Sequence, residues 1–323
     1  MKAIRVHEPG GVDALRYEEV PDPSPGEHEV LVAVEAAGVN FIDVYHRTGL
    51  YPLPLPIALG REGGGHVLEA GRDVSDFEPG DLVAWEGTPG SYAERVVVPA
   101  KRLIALDGLS PRQGAAIMLQ GLTAHYLACS TVPLQPGDVC LVHASAGGVG
   151  LLLVQIAKMR GATVIGTAGT HEKATLARNA GADYVIVYTE QDFEQETKRI
   201  TNGAGVRVVY DSVGRTTWEG SLRCLRPLGT LVLFGQSSGP VPPLDPLMLS
   251  RNGSLFLTRP TLAHYTTTRE ALVARASDVT AWVRGGQLDV HIGGEFPLSH
   301  AAEAHRQLES RQTTGKLLLI PGS

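Results

Sequence analysis

The most regular alternation of apolar and polar positions lies in the middle of the chain, after Ala124. Short apolar runs alternate there with amphipathic segments. The runs begin at nearly even intervals, at Val139, Ala162, Asp183, Val206, Thr230 and Ser254. Intervals of roughly 20–25 residues each accommodate one strand, one helix and two short loops. The pattern therefore predicts a doubly wound parallel sheet of six strands.

The first of these units contains a cluster of very small residues between its strand and its helix. The sequence VCLVHASAGGVG runs from Val139 to Gly150, and an amphipathic helix pattern follows it. Gly147 and Gly150 occupy the second and third glycine positions of the G-x-G-x-x-G fingerprint, and Ser145 stands at the first. Such a turn lets a pyrophosphate approach the N–H groups that begin a helix. Taken alone, the imperfect motif is also compatible with an ordinary surface turn.

Small or polar residues also follow other predicted strands, in the segments ASAGGVG, GTAGT, DSVG and GQSSG. Ligands of open α/β sheets bind outside the carboxyl ends of the strands. One extended cofactor can therefore contact all four segments, and this context favours a dinucleotide site over an empty turn.

The choice between NADP and NAD depends on the end of the second strand. NAD sites usually carry an acidic residue there for the ribose hydroxyls. Here the strand ends in Thr-Ala-Gly-Thr, and the first acid is Glu172, already in the next helix. Lys173 and Tyr188 follow, and both suit a 2′-phosphate. NADPH is favoured, although Lys173 can also be read as an ordinary solvated helix lysine.

The N-terminal and C-terminal parts of the chain have residue patterns that differ from that of the middle. Met1 to about Leu122 consists of short, Val-rich runs punctuated by Pro and Gly, which predict a compact barrel-like β domain. Within it, residues 40–56 are non-periodic and contain three prolines, so we expect a loop. The C-terminal part predicts a helix capped at Ser299, a polar turn with Arg311 and a last strand at 317–320.

Composition restricts the possible partners. The formal net charge of −6 and the absence of a basic block argue against nucleic acid and anionic membranes. No apolar run approaches the length of a membrane span, and the N-terminus has no signal-peptide pattern, so we expect a cytoplasmic protein. The three widely spaced cysteines predict buried thiols without a disulfide.

Four segments give the chain a family resemblance along nearly its whole length: VEAAGVNFIDVYHRTGLY, VHASAGGVG, VVYDSVG and SLFLTRP. The chain resembles the medium-chain dehydrogenase/reductase superfamily, and within it the NADPH-dependent quinone oxidoreductases related to ζ-crystallin. The resemblance implies an α/β protein with two domains. Residues 1–125 and 261–323 would form a GroES-like substrate and catalytic domain, and residues 126–260 a Rossmann dinucleotide-binding domain.

The resemblance also implies roles for individual residues. The pyrophosphate would lie on Gly147, Gly148, Val149 and Gly150. The adenosine phosphate would be held near Gly169 by Lys173, Tyr188 and Arg311. The residues along the rest of the cofactor would be Ser212, Phe234, Ser237 and Arg259. Asn40, Tyr45, Tyr51, Gln120 and Thr123 would surround the nicotinamide and the substrate. Two subunits would join at the edge strand near 254–258 as a homodimer.

The resemblance raises the question of zinc, because many members of the superfamily are zinc alcohol dehydrogenases. Catalytic zinc needs a Cys/His set with an open position. Where those enzymes have Gly-His-Glu this chain has Gly60-Arg61-Glu62, and it has Asn40–Asp43 and Gln120 near the other ligand positions. We therefore predict no metal.

These observations predict direct hydride transfer from NADPH to a quinone. Asn40 would orient the nicotinamide or donate to a developing oxyanion, and Tyr45 and Tyr51 would form aromatic walls around a flat acceptor. Two alternatives remain open: a reductase of enones or 2-alkenals, and a non-catalytic NADPH-binding protein. The sequence leaves open the proton donor, a tyrosine or water, and the roles of Asp43, Arg61 and Glu62.

Overall fold

The computed structural model describes residues Met1–Gly322, and it divides into two compact units. The first unit contains Met1–Leu122 and the chain from Thr266 onwards, and the second unit is Thr123–Tyr265. The α/β class predicted from the sequence is confirmed. No helix among the described residues has both the length and the apolar character needed to cross a bilayer.

The first unit is built mainly of β-strands. Its strands are β1 (Lys2–Val6), β2 (Leu15–Glu19), β3 (Glu29–Val39), β4 (Ile57–Ala58), β5 (Glu62–Ala70), β6 (Leu82–Glu86), β7 (Arg95–Pro99), β8 (Leu103–Ala105), β15 (Ile292–Pro297) and β16 (Lys316–Ile320). Its helices are α1 (Phe41–Arg47), α2 (Pro111–Tyr126, which continues into the second unit), α9 (Arg269–Arg284) and α10 (Ala301–Glu309).

Two sheets organise these strands. The small sheet has the order β2-β1-β4, and the larger one has the order β15-β16-β3-β5-β6-β8, with β7 also paired to β3. The long strand β3 lies at the centre because its Val and Ala side chains are almost all buried. The core packed around it includes Val30, Trp85 and Leu319. The C-terminal strand β16 pairs antiparallel with β3, which makes the tail part of this unit.

Helices α1 and α2 correct the prediction for the N-terminal third of the chain, which contained strands and loops but no helix. α1 lies within the segment predicted to be a loop, and its start is capped because the Asp43 carboxylate accepts a 2.9 Å hydrogen bond from the Asn40 N–H. α2 begins with a capping box in which Ser110 and Gln113 exchange side-chain bonds to backbone N–H groups, with Pro111 at the first helical position. Both signals were present in the sequence.

The second unit confirms the predicted six-stranded parallel sheet. Its strands are β9 (Val139–Val142), β10 (Thr163–Ala168), β11 (Tyr184–Val187), β12 (Val206–Asp211), β13 (Leu225–Leu233) and β14 (Phe256–Thr258). Their order, β11-β10-β9-β12-β13-β14, is the 3-2-1-4-5-6 order of a Rossmann sheet. The helices are α3 (Gly148–Met159), α4 (His171–Asn179), α5 (Phe193–Ile200), α6 (Trp218–Cys224), α7 (Leu247–Arg251) and α8 (Leu262–Tyr265).

One prediction about the tail was wrong. α10 begins at Ala301, after a 3-10 turn at Leu298–His300, and no side chain caps it, so Ser299 is not its cap. The Ser299 hydroxyl instead lies 3.2 Å from Nδ1 of His300. The predicted last strand is confirmed and begins one residue earlier, at Lys316.

Candidate active site

The turn after β9 has the geometry of a phosphate cradle. Gly147 precedes α3, and the N–H groups of the first helical turn, at residues 148–150, have no acceptors within the helix. A methyl group on Gly150 would meet the Ala144 carbonyl oxygen and lie 2.8 Å from Ser145 Cα. The third glycine is therefore required by the turn's own backbone. Ala144 adopts a left-handed φ of 51°, which costs on the order of 1 kcal/mol in a non-glycine residue.

Ser145 takes the place of the first glycine of the fingerprint and has a structural role. Its hydroxyl donates a 3.0 Å hydrogen bond to the carbonyl oxygen of Thr167 in β10. A methyl group on Gly166 would lie 2.6 Å from this hydroxyl, so the glycine in β10 makes room for it. The serine thus ties the turn to the neighbouring strand, and the departure from the fingerprint leaves the cradle intact.

Two residues that the family resemblance assigns to the adenosine phosphate, Gly169 and Tyr188, lie together after β10 and β11, and a third, Lys173, lies in the first turn of α4. A methyl group on Gly169 would lie 2.6 Å from the Tyr188 hydroxyl, so the phenol lies directly over the glycine. Thr170 caps α4 and accepts a hydrogen bond from the Lys173 N–H. Burial lowers the pKa of the Lys173 side chain, and Glu172 opposes that shift. An anion at this helix start would gain from both Lys173 and the helix dipole.

The remaining loops of this unit lie at the carboxyl ends of β12, β13 and β14. The Ser237 N–H donates to the carbonyl of Ser212 at 3.1 Å, and Phe234 directly follows β13. Arg259 follows β14 and donates to the Leu233 carbonyl at 2.7 Å. Thr123 is buried at the start of this unit, whereas Arg311 belongs to the first unit and has a left-handed φ of 58°.

The first unit contains a polar cluster centred on Asn40, which we call the Asn40 cluster: the buried Asn40, Glu62 and Lys316 and the half-buried Gln120. The Asn40 amide N–H groups donate to Glu62 Oε1 at 2.7 Å and to the Gly38 carbonyl at 3.3 Å. Its amide oxygen accepts from Gln120 Nε2 and from Lys316 Nζ, each at 3.1 Å. Asn40 is therefore held in one orientation with both amide hydrogens already donated.

Glu62 and Lys316 supply the charges of the Asn40 cluster. They form an ion pair in which the exposed side-chain fractions are 0% and 1%. The second carboxylate oxygen of Glu62 accepts a 2.6 Å bond from the Leu119 N–H of α2. A methyl group on Gly38 would lie 2.5 Å from Lys316 Nζ, so glycine is required beside this pair. Burial lowers the pKa of Lys316, while the neighbouring Glu62 carboxylate opposes that shift.

Asp43 lies beside the Asn40 cluster and is completely buried. Its Oδ2 accepts from the Asn40 N–H and from the Tyr92 hydroxyl at 3.0 Å, and its Oδ1 has no partner among residues 1–322. Burial raises the pKa of Asp43 to about 7, and the Glu62 charge adds to the rise. The carboxyl can therefore change its protonation state near neutral pH.

Tyr92 connects Asp43 to a second buried group. Arg47 donates to His305 Nδ1 at 3.1 Å, so the other ring nitrogen carries the hydrogen and faces the Tyr92 oxygen at 3.2 Å. Burial and the Arg47 charge lower the pKa of His305 to about 3, which keeps the ring neutral. Arg47 also holds Glu309 through two hydrogen bonds of 2.8 and 2.9 Å.

The Asp43 carboxyl gives a prediction for stability against pH. Its folded-state pKa of about 7 exceeds the usual value of 3.8, so the native state binds the extra proton. Stability should then fall as pH rises from about 4 to 7, by on the order of a few kcal/mol from this group. Asp43→Asn should remove that component of the pH dependence in urea unfolding between pH 5 and 8. If the free energy of unfolding of wild type and of Asp43→Asn changed with pH in the same way, the assignment would be contradicted. The control is Asp13→Asn at an exposed position, which should keep the wild-type pH dependence.

The two tyrosines predicted to form aromatic walls do lie together. The rings of Tyr45 and Tyr51 have centroids 5.2 Å apart in an edge-to-face arrangement. The Tyr51 carbonyl lies 3.0 Å from His46 Nδ1, which therefore donates to it and leaves Nε2 as a bare acceptor. This Nε2 and Gln120 Oε1 are both buried, and the part of the chain that the structure describes offers neither a partner.

The sequence did not point to four residues of these buried networks: Arg47, Tyr92, His305 and Lys316. The signal for Lys316 was a lysine at the start of an otherwise apolar strand, KLLLI. The other three had no local signal, because their partners are distant in the chain.

One group within residues 1–322 has the geometry to hold a metal ion, Glu27, His28 and Asp73, whose ligand atoms lie within 4.8 Å of one another. All three are exposed. The Asn40 cluster contains the amides of Asn40 and Gln120 and one carboxylate, Glu62, which is paired with the Lys316 ammonium group. Because it has no Cys or His and its carboxylate is already paired, this donor set does not suit zinc, whose protein ligands are Cys, His and carboxylates.

Comparison with known proteins identifies the class. Residues 26–108 match the alcohol dehydrogenase GroES-like domain, and residues 148–279 match the zinc-binding dehydrogenase family. A GroES-like β unit together with a Rossmann sheet defines a medium-chain dehydrogenase/reductase.

The relatives narrow this class further. The chain is 44% identical to the quinone oxidoreductase of Pseudomonas aeruginosa, over 99% of both chains. It is 41% identical to a 2-haloacrylate reductase of a Burkholderia species, over 99% of this chain and 98% of that one. The structure of Escherichia coli quinone oxidoreductase complexed with NADPH is similar with a TM-score of 0.97 and 43% identity, over 99% of this chain and 100% of that one. The chain belongs to the quinone oxidoreductase family and is an oxidoreductase.

Proposed function

We propose that this protein reduces quinones with NADPH and without zinc. The observation that carries the proposal is the phosphate cradle formed by the N–H groups at residues 148–150, together with the absence of an acid at the end of β10 and the presence of Lys173 in the first turn of the following helix. The E. coli relative of known structure is complexed with NADPH, and the relatives include named quinone oxidoreductases. When bound, NADPH supplies the hydride.

The residues of the second unit would hold the cofactor. We assign the pyrophosphate to the N–H groups at 148–150, beside Gly147, and the 2′-phosphate to Gly169, Lys173 and Tyr188. The family resemblance also assigns Arg311 to the adenosine phosphate. Thr123, Ser212, Phe234, Ser237 and Arg259 would line the rest of the cofactor. We accordingly propose that the second unit is the dinucleotide-binding domain and the first unit the substrate and catalytic domain.

The residues of the Asn40 cluster suggest a division of labour in catalysis. Two roles were open for Asn40, and we favour orientation of the nicotinamide, because both of its amide hydrogens are already donated. Gln120 Oε1 offers a buried acceptor to a ligand N–H or O–H group. Tyr45 and Tyr51 would bound one side of a flat acceptor. Positioning of this kind accounts for much of the rate in a two-substrate reaction.

The activity is tested by NADPH oxidation with panels of quinones, enones, 2-haloacrylate and simple aldehydes. We expect quinones to be reduced fastest, at a rate that a chelator leaves unchanged. Faster turnover of the conjugated acids or enones would favour the alternative that the 2-haloacrylate reductase relative suggests. Binding of NADPH without oxidation by any acceptor would favour the non-catalytic alternative.

The cofactor preference is tested by Lys173→Ala. Loss of one charge-assisted contact should weaken NADPH binding by roughly ten- to a hundredfold and leave NADH binding nearly unchanged. Fluorescence titration measures both dissociation constants. Lys198→Ala, in the exposed ion pair of α5, is the matched control and should change neither. Equal losses for the two nucleotides in Lys173→Ala would mean that Lys173 does not recognise the phosphate.

We also propose a cytoplasmic homodimer joined at β14. This strand pairs only with β13 in the described chain, and Phe256 is 59% exposed and Leu247 57% exposed. An unpaired edge with exposed apolar side chains favours association with a second copy. Analytical ultracentrifugation should give twice the chain mass of 34.3 kDa, and a monomer would refute the proposal.

A further inference from the structure

A buried imidazole lies beneath the phosphate turn, and the function proposed above gives it no role. His143 is the residue after β9, directly before the turn, and it is 2% exposed. Its Nδ1 lies 3.0 Å from the Thr167 hydroxyl, and its Nε2 lies 3.0 Å from the Ser221 hydroxyl. Its ring also contacts Phe193 edge to face at 4.9 Å between centroids.

The Ser221 hydroxyl fixes which group donates in each hydrogen bond of this network. The Ser221 hydroxyl donates to Asp211 Oδ2 at 2.9 Å, so it must accept from His143 Nε2–H. The bare Nδ1 then accepts from the Thr167 hydroxyl, whose oxygen accepts in turn from the Ala144 N–H at 3.3 Å. Burial lowers the pKa of His143, with Asp211 opposing the shift. One neutral tautomer therefore satisfies every group.

The residues of this hydrogen-bonded network belong to three neighbouring βα units. Ala144 begins the phosphate turn, and Thr167 is the second-last residue of β10, two residues before Gly169 of the following loop. Asp211 ends β12, and its carboxylate also accepts from the N–H groups of Val213 and Gly214. The Thr217 hydroxyl donates to the same carboxylate. The ring thus links the start of the phosphate turn to the end of β10 through Thr167, and to the end of β12 through Ser221 of α6 and Asp211.

We infer that His143 is a positioning residue for the dinucleotide: it ties the phosphate turn to the ends of β10 and β12, and so holds the three loops that follow β9, β10 and β12 in register before the cofactor binds. Preorganisation of this kind lowers the ordering cost of binding. Loss of the ring should weaken the cofactor, while the chemistry in the first unit stays intact. This inference rests on the proposed function, because it takes the three loops to be the NADPH site.

The test is the NADPH dissociation constant of His143→Phe, which fills the space and makes no hydrogen bond. We expect it to rise by about ten- to a hundredfold, with kcat at saturating NADPH and the KM for the quinone within about threefold of wild type. Ser221→Ala is the milder variant in case His143→Phe does not fold, and we expect a rise of about three- to tenfold. His7→Phe, an exposed histidine paired with Glu18, is the control.

A double-mutant cycle with Thr167→Val separates positioning from a general loss of packing. The two residues share a hydrogen bond, so the effect of His143→Phe on NADPH binding should be smaller in the Thr167→Val background. Additive effects would overturn the inference. So would an unchanged dissociation constant with fewer binding sites per chain, which is the signature of partial unfolding. Failure of the wild type to bind NADPH would instead refute the proposed function.

Discussion

Replacing Lys316 with methionine is expected to lower the free energy of unfolding by about 3–5 kcal/mol. Methionine has nearly the same length, so packing changes little, but the Glu62 carboxylate loses its ammonium partner while remaining fully buried. The cost comes from leaving an uncompensated charge in a low-dielectric interior. Urea unfolding at pH 7 measures it.

Two further variants distinguish the buried charge from other causes. Glu62→Gln/Lys316→Met removes both charges and should recover at least half of the lost stability, because a neutral pair of similar volume is tolerated. Lys198→Met breaks an exposed ion pair with Glu194 and should cost less than about 1 kcal/mol. A Lys316→Met variant as stable as Lys198→Met would contradict the view that the pair is isolated from solvent.

Gly150→Ala is expected to weaken NADPH binding by at least about a hundredfold, which corresponds to about 2.7 kcal/mol. The added methyl group would meet Ala144 O and lie 2.8 and 2.9 Å from Ser145 Cα and C, which are backbone atoms of the phosphate turn. Backbone cannot move aside as a flexible side chain can, so the turn must open and its N–H groups must leave their positions. Fluorescence titration with NADPH measures the loss.

Gly11→Ala is the matched control for this substitution. A methyl group there meets nothing within 4 Å, and the backbone does not need glycine, so binding and stability should stay at wild-type values. Circular dichroism of Gly150→Ala should retain the wild-type helix and strand content, because the sheet around the turn is unchanged. A dissociation constant within about twofold of wild type would mean that the turn at Gly150 does not hold the pyrophosphate.

Most of the second unit could be predicted from the sequence because its signals are local. Each strand and the helix after it lie within a few tens of residues. The spacing of the apolar residues then identifies the face of each helix that packs against the sheet. The turn at residues 145–150 is equally local, and the structure explains how it accommodates Ser145 at its first position: Gly166 makes room for the hydroxyl.

Helices α1 and α2 were also encoded locally, but the signals were weaker than the surrounding pattern. The Pro-rich texture of residues 40–56 predicted a loop, while Asn40 and Asp43 formed a cap within it. In the same way, Ser110-Pro111-Arg112-Gln113 is a complete capping box in a stretch dominated by strand-like runs. The capping residues therefore marked the starts of two helices that the Pro-rich and strand-like composition did not predict.

The buried polar networks could be predicted only in part. Asn40 and Gln120 were expected at the site from the family resemblance, whereas the residue that binds Asn40 through its amide oxygen, Lys316, is 276 positions away. His143 was visible in the motif, but its partners Thr167 and Ser221 come from other βα units. No pattern along the chain indicates which side chains distant in sequence will contact each other in the buried interior.

By itself, the sequence determined the fold class, the six parallel strands, the phosphate turn, the absence of an acid after β10 and the family. The contacts of the polar residues became visible only in the tertiary structure: Asn40 has no free amide hydrogen, Lys316 and Glu62 form a buried pair, and His143 links three βα units. The reason is physical. Secondary structure follows from residues close in the chain, whereas a buried charge or hydrogen bond is stable only with a partner that folding brings from elsewhere.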